Sequence, residues 1–270
     1  MIKLRLAGGL GNQLFQISAM LLLRKLTNLQ ICIYTSELKK YKAKRELELT
    51  KILNLSNIQI EHNKNLPLIL RLRLARLIHL PILNIRMISD RTFQNAYLSN
   101  FKASQIYADG YFIESVSQEI FDEMLNEISN ILKSRLRENV SSDVCIIHIR
   151  GGDFLELGWE LPNIKNFYVE AIREVLRREP YIKFEIISDD PDYAHNLVSD
   201  LGIEYNFIGK DIVSDFCSII NARFAILSNS TFAFWAGALR IPCSSEPTSW
   251  MPKLWKPDHT RTLKLRTERW

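Results

Sequence analysis

The sequence predicts an α/β protein whose mainly parallel strands alternate with helices in two domains. Three observations predict it. Residues 2–34 read as one strand–helix–strand unit, and from Ser141 onward the alternation of strand and helix begins again and continues almost to the end. No internal repeat or low-complexity linker interrupts the chain, and a boundary near residue 140 follows from the renewed rhythm, dividing it into 1–140 and 141–270.

The elements follow from their periodicities. "IKLRLA" alternates Ile2, Leu4 and Leu6 as a strand, "GGLGN" turns, Leu14, Ile17 and Leu21 recur at helical spacing, and "ICIY" makes a second strand. The next hundred residues place a helix from Ser117 to about Leu136 and no strand. Basic "KKYKAKR" and the Leu-rich, Arg-dotted stretch "LPLILRLRLARLIHLPIL" fill much of the interval. The second half reads as strands at Val144–Ile149, Lys183–Ile187, Ile203–Ile208 and Phe224–Leu227. Helices fall at Phe167–Arg178, after Pro191, at Ile212–Asn221 and at Phe232–Leu239. Such alternation implies a sheet covered on both faces.

Composition bounds the function without choosing it. With 270 residues, 47% of them hydrophobic, the chain can build large cores, and its net charge of +5 favours anionic partners such as nucleotides, anionic lipids or nucleic acid. Cys32, Cys145, Cys217 and Cys243 show no metal or CxxC spacing, so reduced thiols are expected, with no disulfide and no structural metal. "ISAMLLL" lies inside a patterned segment and is followed by Arg24 and Lys25, which is not a signal-peptide layout; a cytoplasmic protein is the expectation. The segment 66–88, with Arg71, Arg73 and Arg76, reads either as a peripheral membrane-surface helix or as a partly buried helix with solvated arginines. Charges that do not keep to one face favour the second.

Three polar clusters follow strands of the second half: His148, Arg150 and Asp153; Ser188, Asp189 and Asp190; and Ser228 to Thr231. In an open α/β sheet the carboxyl ends of the strands border the ligand crevice, so loops far apart in sequence converge there. Arg150 can fork onto a phosphate, with Gly151 and Gly152 letting backbone amides approach; the plainer reading is a surface turn paired with Asp153. His148 reads as a core histidine that orients its neighbours or as a candidate base. "SDDP" is a helix entry with an Asp cap and Pro191 at the first position, and its second carboxylate is left to meet a ribose, a base edge or Arg150. "SNSTF" places Asn229, Ser230 and Thr231 at a helix N-terminus, an anion site or an ordinary cap. "GGLGN" lacks a full GxGxxG because Leu14 stands where the third glycine would fall, which disfavours a nicotinamide-dependent oxidoreductase and leaves Gly9, Gly11 and Asn12 as candidate phosphate contacts.

The motifs "GGLGNQLFQ" at 8–16, "DGYF" at 109–112, "HIRGGDF" at 148–154, "SDD" at 188–190 and "NSTFAFWAGAL" at 229–239 resemble, in that order, those of glycosyltransferase family 11, the bacterial α-1,2-fucosyltransferases. The resemblance implies a GT-B-like fold of two facing Rossmann-like domains, the first on the acceptor side and the second binding the GDP-sugar. It implies GDP-β-L-fucose as donor and inverting transfer to the 2-hydroxyl of a β-galactoside in a surface glycan precursor such as O-antigen of lipopolysaccharide. No cofactor beyond the donor and no essential metal is expected. Partners are the GDP-sugar and a galactoside-containing, in some cases lipid-linked acceptor, without nucleic acid, and with peripheral contact at the inner membrane as an option. By position, the resemblance assigns Arg150 to the leaving β-phosphate and His148 and Asp153 to its support. Ser188, Asp189, Asp190, Asn229, Ser230 and Thr231 fall to the donor site, Asp215 to guanine, and Gly9, Gly11 and Asn12 to phosphate from the first domain. One departure is visible: the usual pattern is HxRRGD, and Gly151 holds the second Arg position. Transfer from another GDP-sugar, or to another acceptor, stays open.

Overall fold

The computed structural model describes all residues except 41–44, 63–83, 100, 115, 138–142, 241–245, 247, 266–267 and 270. The Leu/Arg-rich stretch up to residue 83 and Cys243 therefore lie outside the described residues. The chain divides into two compact units, Met1–Lys133 and Ser134–Trp270.

The first unit is built on five strands, β1 Ile2–Arg5, β2 Ile31–Tyr34, β3 Ile58–Glu61, β4 Ile85–Ile88 and β5 Gln105–Ala108, in the order β3-β2-β1-β5-β4. Every neighbouring pair is parallel. Helix α1, Leu10–Thr27, returns the chain from β1 to β2, and every residue from Leu10 to Leu23 except Asn12 is buried. A helix enclosed on nearly every side needs no polar face, so "SAMLLL" is apolar all round. It packs on the helix Gln118–Ile131, where the Phe15 and Phe121 rings lie 6.0 Å apart. Among the described residues the other α-helices of this unit are the short α2 (Leu49–Ile52), α3 (Asp90–Leu98), entered through a Ser89–Thr92 capping box, and α4 (Gln118–Ile131), capped by the Ser117 hydroxyl. Strands β3, β4 and β5 are absent from the sequence reading; β3 and β4 are the two edges of this sheet, with most of their residues half-buried or exposed, and β5 lies inside it.

The second unit carries six strands, β6 Val144–Ile149, β7 Lys183–Ser188, β8 Tyr205–Phe207, β9 Phe224–Ile226, β10 Ser249–Trp250 and β13 Glu268–Arg269, in the order β13-β10-β9-β6-β7-β8. All pairs are parallel, and a small antiparallel ribbon, β11 Leu254–Lys256 with β12 His259–Thr260, precedes β13. Counting outward from β6, this is the doubly wound order, in which the chain runs one way through β7 and β8 and then crosses to β9 and beyond. The topological switch point therefore lies between β6 and β9. Five helices connect these strands: α5 (Asp153–Glu156), α6 (Ile164–Arg178), α7 (Pro191–Val198), α8 (Ile212–Asn221) and α9 (Thr231–Ala238). The core closes Ile147, Ile149, Ile186 and Ile226 of the sheet over Tyr168, Ile172 and Val175 of α6. Each fully buried aliphatic side chain here stabilises the fold by about 1.5–3 kcal/mol relative to its exposed state.

Both halves are thus mainly parallel α/β units, as expected, and the second follows the predicted element order closely. Among the described residues no helix is long and apolar enough to cross a membrane.

Candidate active site

At the carboxyl edge of the second sheet, the loops after β9, β6, β7 and β8 stand side by side, because their strands are parallel neighbours in that order. Hydrogen bonds tie the first three together. The His148 imidazole Nδ1 lies 2.9 Å from the Ser228 hydroxyl, which joins the tip of β6 to the tip of β9 across the switch point. The Gly151 amide donates to Asp189 Oδ1 at 2.9 Å, joining β6 to β7. A Cβ built on Gly209 would lie 3.7 Å from the Ser188 carbonyl oxygen, so the loop after β8 runs beside the tip of β7.

Arg150 sits in the middle of this rim, with 23% of its side chain exposed. Its Nη2 donates to Asp153 Oδ1 at 2.6 Å, and its Nη1 lies 2.9 Å from Asp189 Oδ2. The guanidinium also rests over the Phe154 ring, 5.4 Å from its centre. Two carboxylates and a ring fix the fork in one orientation and occupy its two terminal nitrogens. The pair with Asp153 that belongs to the plainer reading is present, and Asp189 is added to it.

The glycines and acids act on each other. Gly152 caps α5 at φ +42°, a left-handed conformation that glycine adopts without penalty, and its amide lies 3.4 Å from Asp190 Oδ2. Asp190 accepts from the Tyr193 amide as the cap of α7, with Pro191 at the first position, while the Ser188 hydroxyl bonds both the amide and the carbonyl of Asp190. The Gly151 and Gly152 amides, expected to face a phosphate, are therefore taken up by Asp189 and Asp190. The reason is geometric: carboxylates on the next strand tip reach them first. Gly151 itself has no room for a side chain, since a Cβ there would lie 2.6 Å from Asp190 Cβ and 3.0 Å from Tyr193 Cδ1. In this structure the position that holds the motif's second Arg is packed against Asp190 and Tyr193.

His148 is only 6% exposed, and burial, with Arg150's charge adding to it, pushes its pKa down to about 3. Its carbonyl accepts from the Tyr168 hydroxyl at 3.1 Å, and its ring lies 5.5 Å from Phe232. Its ring is locked between β6 and β9 by the Ser228 hydroxyl, and burial favours the neutral imidazole. Asn229 donates through Nδ2 to the Trp159 carbonyl at 3.2 Å and the Trp255 carbonyl at 2.8 Å, so its side-chain amide holds two loops together. Ser230 caps α9 by accepting from the Ala233 amide at 3.1 Å, and Thr231 is that helix's first residue. Asp215, on the first turn of α8, accepts from the Lys210 amide at 3.1 Å, and burial pushes its carboxyl above the usual range. The next residue on that helix, Phe216, meets Phe232 edge to face at 5.4 Å, the same ring that lies beside His148.

Gly9, Gly11 and Asn12 belong to the first unit, at the carboxyl end of its central strand β1. Two residues that sequence reasoning passed over hold that turn. Gln13 Nε2 donates to the Gly8 and Glu46 carbonyls at 3.0 and 2.7 Å, and its Oε1 accepts from the Glu48 amide. Gln16 bonds both backbone groups of Ala7 and donates to the Asn12 carbonyl at 2.9 Å. Both amides are fully buried. The available signal was two glutamines three apart inside an apolar helix, which burial tolerates only when the amides are paired. Gly8, at φ +78°, turns the chain into α1.

Among the described residues no group of three or more His, Cys, Asp or Glu side chains is placed to hold a metal ion. Known proteins share this architecture. NodZ, a fucosyltransferase from Bradyrhizobium, superposes with a TM-score of 0.55 at 15% identity, covering 88% of this chain and 92% of NodZ. Structures of NodZ as an alpha-1,6-fucosyltransferase, co-crystallized with GDP or soaked with GDP-fucose, superpose with TM-scores of 0.54 and 0.53. At such identity the likeness is one of fold, and it is that of GT-B-like fucosyltransferases. The alpha-1,2-colitosyltransferase of Escherichia coli is 24% identical over 274 residues, with 92% of each chain covered. The model for Glycosyl transferase family 11 matches residues 103–246, more than half of the chain and the whole Arg150 rim, and the chain belongs to that family.

Proposed function

We propose that this chain is an inverting α-1,2-fucosyltransferase that moves L-fucose from GDP-β-L-fucose to the 2-hydroxyl of a β-galactoside in a surface glycan precursor. The observation that carries the reading is the Arg150 fork, fixed by Asp153 and Asp189 at the strand tips beside the switch point. In that reading the diphosphate lies against the exposed part of the guanidinium and near the N-terminus of α9. Negative charge grows on the β-phosphate as the sugar–phosphate bond breaks, so a cation already in place stabilises the transition state more than the ground state. Asp215 meets the guanine edge.

The acceptor hydroxyl attacks the anomeric carbon from the side opposite GDP and gives up its proton. His148 is withdrawn as its base by burial, which leaves Asp153. In an oxocarbenium-like transition state the proton leaves late, after the sugar–phosphate bond has largely broken. No metal is required in this scheme.

A second reading concerns the donor only. The resemblance to an alpha-1,2-colitosyltransferase favours GDP-colitose, whose sugar is fucose without its 3-hydroxyl. The test is a panel of GDP-, UDP- and dTDP-sugars with β-galactosyl acceptors, products read by mass and linkage. Transfer of fucose to the 2-position supports the main reading, transfer of colitose alone the second, and transfer from UDP- or dTDP-sugars contradicts both.

A further inference from the structure

The loop after β6 continues past Arg150 into "DFLELGWE", and its tip carries Leu157 and Trp159, exposed at 55% and 37%. Large apolar side chains at the mouth of a polar rim call for an explanation. This loop is built to hold its shape. Phe154, Leu155 and Leu157 donate backbone bonds to Gly151, Gly152 and Asp153, and the Trp159 amide returns to the Phe154 carbonyl at 2.9 Å. Gly158, at φ +66°, makes the return possible. Asn229, buried at the tip of β9, clamps the Trp159 carbonyl and the Trp255 carbonyl together. The Tyr193 hydroxyl donates to Glu160 at 2.6 Å on the far side.

The rings and charges form one continuous row. Arg150 lies over Phe154, the Phe154 and Trp159 rings meet edge to face at 5.2 Å, and Lys256 Nζ lies 5.9 Å from the centre of the Trp159 ring. Trp159 thus stands one ring away from the guanidinium that the proposed function assigns to the leaving phosphate. A partly exposed indole in a loop bonded along its backbone presents apolar surface at little entropic cost, with the Lys256 ammonium over the ring as a donor and Glu160 next in the chain as an acceptor. A pyranose presents the complementary surface, with C–H groups on a face and hydroxyls around the edge.

We propose that Trp159 is the stacking platform for the acceptor saccharide, so that the second unit binds part of the acceptor as well as the donor. This inference rests on the proposed function and deepens it. It also changes the expected division of labour, which gave acceptor binding to the first domain alone.

The test compares wild type with Trp159→Ala and Trp159→Phe, using lactose, N-acetyllactosamine and lacto-N-biose as acceptors, GDP-fucose and GDP-colitose as donors, and GDP titrated by calorimetry. Trp159→Ala is expected to raise the acceptor KM on the order of tenfold, with Trp159→Phe recovering part of it and GDP affinity holding at the wild-type value. Because Asn229 grips the backbone carbonyl of Trp159, the loop keeps its clamp in both variants, and circular dichroism checks the fold. An unchanged acceptor KM in Trp159→Ala overturns the inference and leaves the proposed function standing. A parallel loss of GDP affinity places the indole under the base instead, and also overturns it. A wild-type protein that turns over neither donor with any of these acceptors overturns the proposed function, and the inference with it.

Discussion

At Arg150, orientation and charge are supplied by different groups: the carboxylates of Asp153 and Asp189 aim the fork, and the fork's exposed part is left for a ligand. Arg150→Ala is expected to lower transfer by about two orders of magnitude or more, the scale of losing a charge-stabilising donor, while the melting temperature changes little. Steady-state rates and a thermal melt on the same preparation check both halves. Gly151 leads to the opposite kind of variant. Gly151→Ala drives a methyl into Asp190 Cβ, an atom fixed to the backbone, and should destabilise the fold by about 1–3 kcal/mol in urea unfolding. His148 gives a pH signature. Its pKa is about 3 when folded and about 6.5 in the unfolded chain, so above pH 6.5 both states are neutral and it contributes no pH dependence. Below that, the unfolded chain takes up a proton that the folded one refuses. Stability should therefore fall toward pH 3 at up to about 1.4 kcal/mol per pH unit from this residue. Urea unfolding at pH 7, 5.5 and 4 should show that slope in wild type and its loss in His148→Asn.

Among the elements, the turn from β1 into α1 depends on side-chain amides. Gln16→Ala leaves the buried Ala7 N–H and C=O without their partner and is expected to cost about 3 kcal/mol, measured by denaturant unfolding. This device was hard to read in the sequence, because two glutamines within a helical apolar pattern look like the ordinary polar positions of an amphipathic helix. Their burial follows from neighbours brought in by tertiary packing. The second unit was legible for the opposite reason: β6 and β7 are interior strands with apolar runs, and Pro191 and Asp190 announce α7 in the local chain. Strands β3, β4 and β5 were missed because each is only four residues long, too short for IQIE, IRMI or QIYA to stand out from its irregular surroundings. Within the site, the meeting of His148 with Ser228 and of Gly151 with Asp189 was foreseeable from topology. That the acids would take the glycine amides for themselves was not, since it depends on a register of side chains across neighbouring strand tips.

For the whole molecule, the excess of five positive charges draws anions in general, and in the proposed function the rim of the second sheet selects among them. GDP should raise the melting temperature and NAD(P) should not, since a ligand at a hundred times its dissociation constant stabilises the folded state by about 2.7 kcal/mol. Protection by NAD(P) alone would return the molecule to the oxidoreductase class that the incomplete glycine fingerprint disfavours. The most direct measurement is a crystal structure of the GDP complex, read at one distance. The account predicts a nitrogen of Arg150 about 3 Å from a β-phosphate oxygen, with the nucleotide lying along the tips of β9, β6, β7 and β8. A diphosphate bound elsewhere, or a guanidinium still wholly engaged by Asp153 and Asp189 and turned from it, would contradict the account.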